Sequence, residues 1–200
     1  VPRPRLADER RPQIVAAAER AIAEHGFESV RLLDVAEEAG LAVGTVQHYC
    51  ASRDELLVEA LRSANRSGSD RLHDAIEATV DPWERLQAVA AHVAGLERWG
   101  LWLDFWAVAA RRPELRTAMA AAYEDWRAPI LAAIEEGIAS GRFAPRLPAV
   151  EIASLVVAIA DGIGIQRGLG VAWLGEERVR ELLVGALASE LFGRSRAPFP

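Results

Sequence analysis

The chain has 200 residues, 51% of them hydrophobic, and a formal net charge of −6, with arginine supplying all 23 of its basic residues. That composition suits a packed helical domain with a small appendage and excludes a disordered chain. The single cysteine, Cys50, excludes an internal disulfide and fits a reducing cytoplasm; no secretory signal is expected, and no apolar run reaches the roughly 18 residues of a membrane span.

Taken in chain order, the apolar spacing predicts helices and no strands. A first helix is expected from Pro12, a favoured first-turn residue, to His25 with Gly26 as its stop. Its buried stripe is expected to be Ile14, Ala17, Ala18, Ala21, Ile22 and His25. A second helix follows Ser29, buries Val35, Ala36 and Ala39, and ends at Gly40. A third runs from about Val43 to Tyr49. Ser52 with Glu55 three residues on is a capping box that opens a fourth helix through Leu61. Further on, Pro82 opens a helix carrying Leu86, Val89, Val93 and Leu96 on one side, and a short aromatic one spans Leu101 to Ala110. A long helix covers Glu114 to Ser140, with Pro129 inside it expected to introduce a kink. Pro148 opens the next, through Gln166, and a last one runs from Glu176 to Phe192. The expected class is all-α: a three-helix reading head over residues 1–52, a helical bundle over 53–193, and a loose tail over 194–200. Residues 1–7 are expected to be loose as well.

The stretch Leu33 to Cys50 reads as two short helices joined by a tight glycine turn, the layout of a helix-turn-helix whose second helix enters the DNA major groove. Bulk charge does not advertise nucleic acid: residues 1–66 carry nine arginines against eleven acids. Locally the balance differs, since Ala39 to Arg53 contains no acid and Arg3, Arg5, Arg10 and Arg11 cluster at the start. Gln47 can pair with the N6 and N7 of adenine, His48 can donate to guanine or phosphate, and Thr45 can use its hydroxyl or methyl.

The pattern Val35-Ala36-x-x-Ala39-Gly40-Leu41-x-x-Gly44-Thr45-Val46-x-x-Tyr49, followed by Ser52-Arg53-x-x-Leu56, resembles the TetR family of bacterial transcriptional regulators. Gly141-Arg142-Phe143 and Ala160-Asp161-Gly162-Ile163 resemble a choline-responsive repressor subgroup of that family. The resemblance implies that Val43, Gly44, Gln47 and His48 read base edges while Thr45, Tyr49 and Arg53 grip phosphate. It also implies that the last two long helices pair with those of a second subunit. Four positions depart from the usual family pattern. Ala42 replaces a hydroxyl N-cap, Gln47 a tyrosine, Cys50 a phenylalanine, and Leu32-Leu33 stand where small or polar residues often reach DNA. The missing cap costs on the order of 1 kcal/mol of local helix stability.

Trp99, Trp102, Phe105 and Trp106, with Tyr123 and Trp126 on the long helix, either pack a core or line a small-molecule pocket. The density of indoles on two helices favours some pocket lining, with Tyr123 and Gln166 as polar handles and Asp104 as a solvated charge off the aromatic face. Cys50 is expected to fill core space rather than sense oxidants. His25, His73 and His92 show no metal-ligand spacing, and no cofactor is expected. No nucleophile–base pair or phosphate loop points to an enzyme. The expected function is a cytoplasmic, homodimeric transcriptional regulator that binds an operator in double-stranded DNA under control of a largely apolar effector, with no membrane partner. The alternative is a helical small-molecule-binding or interaction protein whose reading head no longer functions.

Overall fold

The structure, a computed structural model, describes residues 5–96, 99–171 and 173–192. Among them are α1 (Arg5–His25), α2 (Leu32–Ala39), α3 (Val43–Tyr49), α4 (Arg53–Glu77), α5 (Pro82–Ala94), α6 (Trp99–Ala109), α7 (Pro113–Ala139), α8 (Ala149–Gly168) and α9 (Glu176–Leu191). No strand occurs among the described residues. The loose ends expected at 1–4 and 194–200 lie outside the described residues, whereas residues 5–7 are already helical.

Three helix starts differ from expectation, α6 beginning at Trp99 rather than Leu101. His25, expected in the buried stripe of the first helix, is exposed at the end of α1. α1 begins at Arg5 and carries Pro12 in its interior, because a missing N–H removes one ladder bond from a long helix without ending it. α2 is entered through Arg31 rather than Ser29: the Arg31 N–H donates to Asp34 Oδ2 at 2.6 Å, and its guanidinium reaches Oδ1 at 3.1 Å. Those bonds from Arg31 hold the Asp34 carboxyl below the usual range. Elsewhere the expected starts hold. Asp81 Oδ1 accepts the N–H groups of Trp83 and Glu84 ahead of Pro82, and Glu55 N–H donates to Ser52 Oγ at 3.1 Å.

The chain folds as two compact units: Val1–Ser67 with Gly100–Ala120, and Gly68–Trp99 with Ala121–Pro200. The first is centred on Ile14, Ile22, Phe27, Val35, Val46, Leu56, Leu57, Phe105 and Leu115, all buried. The second is centred on Leu72, Leu86, Ile130, Ile134, Ile152, Val156, Leu183 and Leu191. The Gly141-Arg142-Phe143 motif closes α7 in this second unit. Arg142 pairs with Asp81 at 3.3 Å, while the Phe143 ring is buried edge-on to Phe192, 5.4 Å between centroids.

α8 departs from the expectation about apolar runs. By length and composition it is the one described helix able to cross a membrane. The reason is a double apolar character: Ile152, Ala153, Val156 and Ala160 face the core of the unit, while Leu155 and Ile159 stay exposed on the other side.

Candidate functional site

The α2–α3 corner is built by backbone chemistry. Gly40 takes the left-handed conformation, φ +65°, and closes α2 with its N–H on the Glu37 carbonyl while Leu41 N–H bonds the Ala36 carbonyl. A residue with a Cβ is strained there, which is why the turn needs glycine. α1 buttresses the corner: Gln13 donates to the Ala39 carbonyl at 3.0 Å, and Arg20 pairs with Glu38. α3 starts at Ala42 without a side-chain cap, as its sequence implies.

On α3, Val46 is completely buried and Cys50 nearly so, which fixes the helix's rotation about its own axis. Gln47, His48 and Gly44 then point to solvent, and Val43, Thr45 and Tyr49 are half-buried at the flanks. The His48 and Tyr49 rings meet edge-on at 5.3 Å. The Tyr49 carbonyl accepts from Arg11, whose guanidinium is also bidentate on Glu59. Cys50 sits in the core as expected, and burial raises its thiol's pKa. Leu33 is left exposed on α2.

Arg53 is occupied by the protein itself. Its guanidinium donates to the carbonyls of Val30 at 2.6 Å, Phe27 at 2.5 Å and Glu28 at 3.0 Å, and to Asp54 at 2.6 Å. It also lies over the Phe27 ring, as does Arg112, at 5.9 and 5.8 Å from the ring centroid. Asp104 is no solvated charge: its Oδ2 accepts the Phe27 N–H at 3.0 Å. Asp54 accepts from both Arg53 and Arg112; burial alone would raise its carboxyl, and the two guanidiniums outweigh that and hold it low. The loop between α1 and α2 is thus stapled to the start of α4 and to the 104–112 segment. These long-range partners carry no local sequence signal.

The expected pocket residues divide between the units. Phe105 is buried in the first unit's core, with Trp102 and Trp106 packed against it. Trp99, Tyr123, Trp126 and Gln166 belong to the second unit, where Gln166 is exposed and offers no interior handle. Tyr123 and Trp126 each meet a group not singled out as a ligand. Tyr123 donates its hydroxyl to Asp161 Oδ2 at 2.8 Å, and the Trp126 ring lies 5.4 Å from the His92 ring. Trp99 lies flat against Gly164, where a Cβ would come within 2.0 Å of the indole. Burial raises the Asp161 carboxyl, opposed by the Tyr123 hydroxyl; burial, helped by Arg71, lowers His92. His92 Nε2 and the Trp99 indole N–H are buried with no partner among the described residues. Asp161 was findable as a charge inside an otherwise apolar helix; His92 carried no such mark.

Comparison with known proteins matches both regions. Residues 14–60 match the model described as bacterial regulatory proteins, tetR family, and residues 70–191 match the BetI-type transcriptional repressor C-terminal model. The HTH-type transcriptional regulator BetI of Agrobacterium fabrum is 33% identical over 175 residues, 83% of this chain and 80% of that protein. A putative transcriptional regulator from Saccharomonospora viridis, solved in complex with choline, is 30% identical with a TM-score of 0.84, covering 94% of this chain and 100% of that one. A TetR transcription regulator from Haloarcula marismortui shares the fold at a TM-score of 0.82 and 22% identity, covering 92% of this chain and 99% of that one.

Proposed function

This chain belongs to the TetR family of bacterial transcriptional regulators and is a helix-turn-helix DNA-binding regulator governed by a small molecule; from that premise we propose that it is a homodimeric repressor released from its operator by a small organic cation. The observation carrying the DNA side is the rotation of α3: with Val46 buried, Gln47 and His48 are exposed within a stretch, Ala39 to Arg53, that contains no acid. Val43, Gly44, Gln47 and His48 read base edges in this reading, while Thr45 and Tyr49 hold phosphate. Arg53 contributes by holding the 27–30 loop in place.

The dimer reading rests on α8 and α9. Leu155, Ile159 and Leu182 are exposed, and a Cβ built at Gly162 or Gly185 would meet nothing within 4 Å among the described residues. A second copy covers these faces and supplies the second half-site reader. That use explains an apolar α8 without a bilayer, and the molecule works in the cytoplasm, where its operator is. No enzymatic activity and no cofactor enter this reading.

The effector reading rests on Asp161. A carboxylate raised by burial is stabilised by a cation, and indole, phenol and imidazole faces suit one that carries apolar methyl groups. Such a ligand refines the expected apolar effector, and Trp99 and His92 have polar atoms to spare for a hydroxyl on it. The choline bound by the Saccharomonospora viridis regulator supports the same class. α4, unbroken from Arg53 to Glu77, begins in the reading head and ends in the unit holding Asp161, and differential affinity of the ligand for two positions of that helix supplies the switch. Gel shift with DNA flanking its own gene tests both halves: a specific complex forms without ligand and dissociates with choline. The absence of any specific complex overturns the operator reading, and a complex indifferent to choline overturns the cation.

A further inference from the structure

A cavity of about 480 Å³ opens within the first unit, among α1, α4 and the start of α7. It is large enough for a small organic ligand. Its charge is unlike that of the chain. Among the described residues, four arginines (11, 62, 66 and 112) line it against Asp54, Glu55 and Glu59, an excess of one positive charge among them in a protein of net charge −6.

The acids are mostly committed. Glu59 is held bidentately by Arg11, at 3.0 and 2.7 Å, and Asp54 by Arg112 at 2.8 Å and Arg53 at 2.6 Å. Arg62 and Arg66, one turn apart on α4, are exposed and form no ion pair among the described residues. Positions four apart on a helix lie on one face, so both guanidiniums can converge on one ligand. The apolar part of the lining is Val58 and the buried Leu115. Guanidiniums recognise carboxylate and phosphate oxygens by paired, charge-assisted hydrogen bonds.

We propose that this cavity binds a small organic anion, a carboxylate or phosphate monoester with a short apolar body, its head group on Arg62 and Arg66 and its body against Val58 and Leu115. Arg112 is then shared between the ligand and Asp54. Because Arg112 also lies over Phe27, a bound anion acts on the same staple that fixes the α1–α2 loop. The site is separate from the cation site proposed above and binds without DNA.

The test is titration calorimetry on the full chain at constant ionic strength, with phenyl phosphate and benzoate as probes and benzyl alcohol as the neutral control. At least one anion binds at millimolar concentration or below; the tighter of the two identifies the head group, and benzyl alcohol binds more weakly than either. The double variant R62Q/R66Q weakens anion binding by about tenfold or more, as loss of charge-assisted pairs requires. Both arginines are exposed, so the variant keeps its urea midpoint, and its choline titration matches that of the unmodified chain. Failure of both anions to bind, equal binding of benzyl alcohol, or equal anion binding by R62Q/R66Q overturns the proposal. Choline binding and gel shift test the cation and the operator instead, so the anion site stands or falls independently of them.

Discussion

Replacing Arg53 with alanine separates two roles that the same residue can play. A phosphate grip is used only when DNA is bound, so its removal leaves the free protein's stability within about 0.5 kcal/mol, as for ordinary surface changes. The structure instead gives Arg53 three backbone carbonyls and Asp54 as partners, with its side chain 27% exposed. Hydrogen bonds to a charged group contribute about 1.5–3 kcal/mol each when buried, and exposed ion pairs under about 1 kcal/mol. The Val30 and Phe27 bonds are partly buried and the Glu28 and Asp54 contacts exposed. Discounting for that exposure, Arg53→Ala should cost about 2–4 kcal/mol, equivalent to roughly 4–16 °C in the melting temperature of a chain this size. Arg53→Lys keeps the charge but cannot fork across three carbonyls, and should lose more than half as much. Urea denaturation without DNA, followed by far-UV circular dichroism, measures both. A loss below about 0.5 kcal/mol for Arg53→Ala refutes the staple.

Gly164→Ala drives a methyl into the Trp99 indole and should destabilise by about 1–3 kcal/mol despite alanine's better helix propensity; adding Trp99→Leu in the same chain should recover part of that loss. Asp161→Asn should weaken choline binding by about tenfold or more, measured by calorimetry. The same variant has a pH signature: burial raises the folded-state pKa of Asp161, so the folded form holds the proton longer. Stability therefore falls as pH rises from the unfolded pKa through the raised folded one, and Asp161→Asn should remove that fall from a melting-temperature profile. Cys50, buried with its thiol raised, should resist maleimide at neutral pH in the folded protein and label fully in urea; rapid native labelling would contradict its place in the core.

Much of the architecture is legible in the sequence because it is written locally. Gly40 forces a left-handed turn, Ser52 and Asp81 cap helices within three residues, and the apolar stripes repeat at helical spacing. The exposed pair Gln47 and His48 follows from Val46 and Cys50 being core fillers on a helix of only seven residues. What depends on distant partners is not legible. Arg53 has the position of a phosphate contact, yet Phe27, Glu28 and Val30 sit more than twenty residues away and occupy it. Asp104 similarly finds Phe27 across 77 positions. The aromatic run from Trp99 to Trp106 looks like one wall, but Trp99 joins Gly164 while Trp102, Phe105 and Trp106 join the reading head's core. Gln166, near the C-terminal end of α8, lies on its exposed side; helical phase alone could not say which side the bundle would cover.

The central claim is that α3 reads bases with Gln47 and His48, and competition fluorescence anisotropy on an operator selected from random DNA tests it most directly. Gln47→Ala and His48→Ala should each cost about 1–3 kcal/mol on the selected site and relax preference at one base position, with nonspecific affinity and its salt slope unchanged. Equal affinity of the unmodified protein for selected and scrambled DNA, or an alanine effect identical on both, would contradict it.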